Sequence, residues 1–284
     1  MIEYDAKNWA KIIFRWRGSV LPRLLPRSLV GGAIGALATW THVNTGLRLA
    51  PIAHTMLGAA LGLLLVLRTN ASYDRYWEGR RLLGVIVSRS RDLARQIAAW
   101  LPREERARKE IGRLICAYFW AVAQSLRDED DDGSLARLLP EGIADRVWAS
   151  RMRPLAILIE ISKTIESLIH KGALHPNHLL SIENNLTAMH ESFVGCERIR
   201  RTPVPFAYAQ HIKVFVILFA YSAPFAMADA MGWLNPLASF FLCVALFGID
   251  EIGVEIEDPF GRDPNDLPID ALGRRLEGIV LDTL

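Results

Sequence analysis

The run PIAHTMLGAALGLLLVL at residues 51–67 ends abruptly on Arg68 and passes into a Tyr-Asp-Arg-Tyr-Trp cluster followed by Arg80 and Arg81. A helix needs roughly 20 mostly apolar residues to cross a bilayer, and this run, polar only at His54 and Thr55, comes close to that length. Three further stretches resemble it. Residues 29–46 are apolar to Ala38 and then dilute into Thr, Trp and His; residues 214–233 are apolar apart from Asp229; residues 236–249 are shorter. The chain is 51% hydrophobic yet 23% charged, so apolar and charged residues must be segregated, with part of the chain in lipid.

Charge placement gives the four spans one consistent orientation. Lys7, Lys11, Arg15, Arg17, Arg23 and Arg27 precede the first span, and Arg68, Arg75, Arg80 and Arg81 follow the second. Arg198, Arg200, Arg201 and Lys213 precede the third, and the loop between the third and fourth carries neither Lys nor Arg. Cationic flanks stay in the cytoplasm, so both termini are expected there, on a chain that crosses the membrane several times. Residues 1–28 read as a basic amphipathic surface helix, with Trp9, Ile12, Ile13 and Trp16 on its apolar side, rather than as a secretory signal.

The organisation expected is therefore a surface segment at 1–28, two spans at 29–67, a cytoplasmic region at 68–210, two spans at 211–250 and a cytoplasmic end at 251–284. In the long middle region apolar residues recur at three and four, which predicts helices near 88–100, 104–126, 155–169 and 179–193. No strand pattern competes, and the fold class is all-α. A net charge of +2 gives no ground for nucleic-acid binding, and Cys116, Cys196 and Cys243 show no metal or redox spacing.

Chemistry-bearing motifs are few. DEDDDG at 128–133 matches half of a calcium loop, but position twelve, where a bidentate Glu is needed, is Leu139, so a solvated acidic loop is the better reading. His170, His175 and His178 read as surface histidines. No phosphate loop, nucleophile elbow or HExxH occurs, which argues against an enzyme. Gly31 with Gly35, and Gly58 with Gly62, stand four apart inside spans, where they let helices approach closely. Ala59, Leu63 and Leu67 form one stripe of the second span. From periodicity alone, lipid-facing or core leucine is the better reading of that stripe.

WRGSV at 16–20, LRTNASYDRYWEGRRLLG at 67–84, GCERIRRTPVPFAY at 195–208 and EIEDPFGRDPNDLPID at 255–270 resemble, in order, four blocks of the bacterial bestrophin-like proteins. The resemblance implies a homopentameric ion channel embedded in membrane lipids, with four membrane helices per subunit, a large helical cytoplasmic part and an axial pore. It also implies that Ala59, Leu63 and Leu67 line an apolar pore neck, with the Ala ring wider than the family's usual large residue. The cytoplasmic aperture falls at Asn177, or by a slip of register at His178 or Leu179. Animal members hold calcium in an acidic clasp, and Asp263 and Asp266 match two of its carboxylate positions. Their expected role here is either a cation clasp or contact of the C-terminal segment with the cytoplasmic helices, and no obligatory cofactor is expected. The function these features imply is passive conduction of monovalent ions, cations over chloride; the alternative is a non-conducting membrane scaffold that docks a cytoplasmic partner.

Overall fold

A computed structural model describes residues 5, 7–16, 18–47 and 49–284, so Arg17 of the basic flank lies outside the described residues. Among the described residues every regular element is helical, and the chain divides into two compact units. One comprises Met1–Tyr76, Pro203–Pro259 and Asp263–Asn265; the other comprises Trp77–Thr202, Phe260–Arg262 and Asp266–Leu284.

The first unit holds α1 (Trp9–Ile13), α2 (Leu21–Thr45), the first half of α3 (Pro51–Trp100), α8 (Phe206–Met231) and α9 (Asn235–Glu257). Two stretches are long and apolar enough to cross a membrane among the described residues, one within Pro51–Trp100 and one over Phe206–Glu257. The second is broken by a 3₁₀ turn at Gly232–Leu234, where Gly232 has a φ of +50° that permits the reversal. α2 ends comparably at Gly46, with φ +70°.

Packing in this unit depends on small residues. A β-carbon on Gly31 would collide with Cys243 Sγ, and one on Gly35 would lie 2.9 Å from the Pro236 Cα, so α2 and α9 touch through these glycines. Gly58 faces the Phe219 ring at 2.9 Å in the same sense, whereas Gly62 has nothing within 4 Å. Close approach, expected at both glycine pairs, is thus realised at three of the four positions within a single chain. Pro224 sits inside α8 and deprives the Ala220 carbonyl of its donor, and the Cys243 thiol faces that oxygen at 4.0 Å. Buried Asn235 donates to the carbonyls of Gly35 (3.2 Å) and Pro224 (3.0 Å), fastening α9 to α2 and α8.

The second unit is built on α4 (Glu105–Arg127), with the rest of α3, α5 (Ala144–Trp148), α6 (Arg153–His170), α7 (Leu179–Arg201) and α10 (Ile269–Thr283). The fold buries α4 on all sides from Leu114 to Gln124, Cys116, Ala117, Trp120 and Ala121 included, and Phe119 and Trp120 face α10. A β-carbon on Gly273 would fall 2.9 Å from the Trp120 ring and one on Gly112 3.2 Å from Leu284, so glycines on both helices set that contact. Tyr118 donates to the Met189 carbonyl at 2.9 Å, tying α4 to α7. In the acidic loop Asp131 accepts from the backbone N–H groups of Leu135 and Ala136, both at 3.0 Å, which gives that carboxylate a capping role.

Candidate functional site

α3 is one uninterrupted helix of 50 residues, and its two faces have different fates in the first unit. Leu61 and Leu65 are buried in a core with Leu24, Ile212, Val216, Ala220, Cys243 and Phe247. On the other face Ala59, Leu63 and Leu67 stand exposed, Leu63 by 62% and Leu67 by 51%. At a rise of 1.5 Å per residue the three cover about 12 Å of helix. The same register continues to Asn70 and Asp74, both exposed. A row of leucines that the subunit's own core leaves uncovered, running into an amide and a carboxylate, suits a boundary between an apolar passage and water.

Arg68, which follows the stripe directly, does not share its exposure. Its side chain is 2% exposed and hydrogen-bonds Asp250 of α9, whose side chain is 9% exposed. The charge expected to mark the end of the run is turned inward and paired. A helix places i+1 about 100° around its axis, so the residue after an exposed Leu67 can point into the unit. Glu251 lies 3.5 Å from Arg23 and 3.6 Å from Arg27, so basic residues of the first flank also meet acids of α9.

The aromatic and arginine block clamps this end of the helix. Arg75 donates through Nε to the Glu257 carbonyl at 3.2 Å, while the Glu257 carboxylate accepts the Val204 N–H at 3.2 Å. The Tyr76 hydroxyl donates to the Asn265 carbonyl (3.3 Å), and Asn265 donates to the Gly18 carbonyl (3.0 Å). Three blocks distant in sequence, around 18, 75 and 257–265, are thereby joined.

In the second unit Asn177 lies in a short 3₁₀ turn and is exposed. His178 stacks on Trp100, with ring centroids 4.1 Å apart and planes at 15°, and its edge meets His175 at 6.1 Å. Of the candidates for an aperture, Asn177 and Leu179 are exposed and His178 is engaged in this stack. Next along α7, Leu180 is 72% exposed.

The two carboxylates matched to a calcium clasp have different surroundings: Asp263 is exposed and Asp266 is buried. Asp266 Oδ2 packs so near Gly261 that a β-carbon there would sit 2.6 Å away. Among the described residues no group of three or more His, Cys, Asp or Glu is arranged to hold a metal, and neither Asp263 nor Asp266 is without a partner. The segment's visible work is structural. Arg127 bonds Asp270 at 2.6 Å, Arg262 makes paired bonds to Glu129 at 2.6 and 2.7 Å, and Arg137 makes paired bonds to Glu277 at 2.5 and 2.6 Å. The Arg262 and Arg137 hydrogen bonds hold the carboxyls of Glu129 and Glu277 below their usual range. Burial pushes the Cys116 and Cys196 thiols up to about 12, which makes them inert.

Asp74 and Asp250 are the residues that sequence reasoning missed. Asp74 was readable, since it falls seven positions after Leu67 on an uninterrupted helix. Nothing in the sequence links Asp250 to Arg68, 182 residues earlier.

Membrane-length apolar helices, an uncovered apolar stripe and a helical second unit define an all-α membrane protein. The chain belongs to the bacterial and fungal bestrophin family, whose model, described as Bacterial/Fungal Bestrophin protein, matches residues 1–282. A voltage-dependent anion channel-forming protein of Ralstonia nicotianae is 35% identical over 98% of this chain and 92% of its own length. One from Escherichia coli K12, under the same description, is 33% identical over 98% and 92%. The crystal structure of a bacterial bestrophin homolog from Klebsiella pneumoniae, carrying a point mutation, superposes with a TM-score of 0.88 at 32% identity, covering 92% of this chain and 99% of that one.

Proposed function

We propose that five copies of this chain surround an axial pore that passively conducts monovalent ions, cations in preference to chloride, across a bacterial inner membrane. The observation that carries this reading is the split of α3: Leu61 and Leu65 are buried in the subunit while Ala59, Leu63 and Leu67 remain uncovered. Repeated around an axis, the stripe becomes three stacked apolar rings. An ion in such rings finds few polar groups to replace its water, so the neck limits flow and can close by dewetting. The outermost ring, Ala59, is wider, which leaves the barrier to the two leucines. Asn177 supplies a polar cytoplasmic aperture in the same reading, with His178 backing it through its stack on Trp100.

The spans proposed are 29–67 and 211–250, with both termini cytoplasmic, in keeping with the Lys and Arg flanks. The names of the relatives point to anions. Against that, among the described residues of the first unit the ionisable side chain in register with the stripe is an acid, Asp74. The family of channel-named relatives and the lack of any recognisable catalytic motif support conduction without catalysis.

Liposome flux tests the neck. Leu63→Ala and Leu67→Ala should each raise ion flux several-fold by widening and wetting a ring. Flux unchanged by both removes the neck from these residues, and no flux in any ion gradient favours a membrane scaffold instead.

A further inference from the structure

We infer that Asp74 sets the charge preference of the passage, as a ring of carboxylates on the cytoplasmic side of the apolar neck. The inference rests on the channel reading above and adds to it the residue that discriminates between ions.

Four observations converge on Asp74. It lies on the same unbroken helix as the neck stripe, in a register that runs Ala59, Leu63, Leu67, Asn70, Asp74. Seven residues from Leu67 correspond to two turns, about 10 Å beyond the last leucine. Its side chain is exposed, and among the described residues no hydrogen bond or ion pair engages its carboxylate. Finally, the nearest cations in sequence are directed elsewhere: Arg68 is buried against Asp250, and Arg75 donates to the Glu257 carbonyl. A basic-looking sequence therefore presents an acid on this face. Glu78, four residues on, is paired with Arg198 at 3.4 Å, and Arg81 follows seven residues after Asp74.

The physics follows from placement. Leucine rings discriminate weakly by charge, because they offer no dipoles to either ion. A ring of fixed carboxylates beside them enriches cations at the mouth and depletes chloride, and low-dielectric walls strengthen its field. The effect should weaken with ionic strength, since the screening length shrinks from about 30 Å at 0.01 M to about 3 Å at 1 M salt.

The test is the reversal potential of the full-length protein in bilayers under a tenfold KCl gradient. Wild type should favour K⁺, and Asp74→Asn, which keeps the shape and removes the charge, should lower the K⁺/Cl⁻ permeability ratio by roughly fivefold. Asp74→Glu should retain the preference. Raising the salt at a constant gradient should erode it in wild type, a readout that needs no variant. A conducting Asp74→Asn with an unchanged ratio, a wild type that prefers chloride, or a cation preference indifferent to salt would each overturn the assignment while leaving the channel intact. Absence of any conductance in wild type would instead overturn the channel reading.

Discussion

Arg68 and Asp250 show what a charged residue does when it borders an apolar run. Both side chains are almost wholly buried, so each has lost its water and depends on the other for charge compensation. Removing one partner leaves the other buried and unpaired, which typically costs 3–5 kcal/mol, whereas replacing both by apolar residues of similar volume is often neutral. Asp250→Ala should therefore lower the thermal unfolding midpoint sharply, and the Arg68→Met, Asp250→Leu pair should recover most of the loss. Equal losses in the single and double variants would show that the pair is not a unit. At this scale the sequence discloses what a helix repeats, such as Leu63, Leu67 and Asp74. It conceals pairings such as this one, which depend on tertiary packing.

Among the elements, α2 and α9 meet through glycines, so the contact depends on small residues that let the two backbones approach closely. Gly35→Ala would place a methyl 2.9 Å from the backbone of Pro236 and 2.7 Å from Ser239 Oγ, and should destabilise by about 1–3 kcal/mol. Gly62→Ala meets nothing within the chain and should be tolerated, so unfolding of the two variants in detergent separates a packing glycine from an uncovered one. The four-residue spacing showed both pairs equally, because spacing cannot say which face finds a neighbour.

The C-terminal helix was hidden from sequence reading for a related reason. α10 acquires its place by covering α4, and the ion pairs that fasten it, Arg137 to Glu277 and Arg127 to Asp270, join residues more than 130 positions apart. Glu129 and Glu277 have folded-state values below their ordinary ones, so their contribution is full above the usual carboxylate range and is lost as pH falls through the lowered values. Hydrogen-exchange protection of α10, taken relative to the intrinsic rate at each pH, should fall as the pH is taken below about 4. Protection that is flat with pH would mean that apolar contacts alone hold the helix.

For the whole molecule, the apolar runs within Pro51–Trp100 and Phe206–Glu257, the helical character of the rest and the family blocks were legible, because lipid and helix periodicity each impose a simple pattern. The division of the chain into units was less so: it falls within α3, between Tyr76 and Trp77, rather than where the apolar run ends at Leu67. Helical periodicity passes through that point without a break. The central claim is that the uncovered stripe faces an ion pathway and not lipid. Cys116, Cys196 and Cys243 are all buried, and burial holds the first two thiols at about 12, so wild type should ignore a water-soluble thiol reagent. Currents through a Leu63→Cys variant, recorded while a charged thiol reagent is added, provide the most direct test. A rapid change in current in the variant, absent in wild type, is the predicted result; current through Leu63→Cys that is indifferent to the reagent would contradict a pore-facing Leu63.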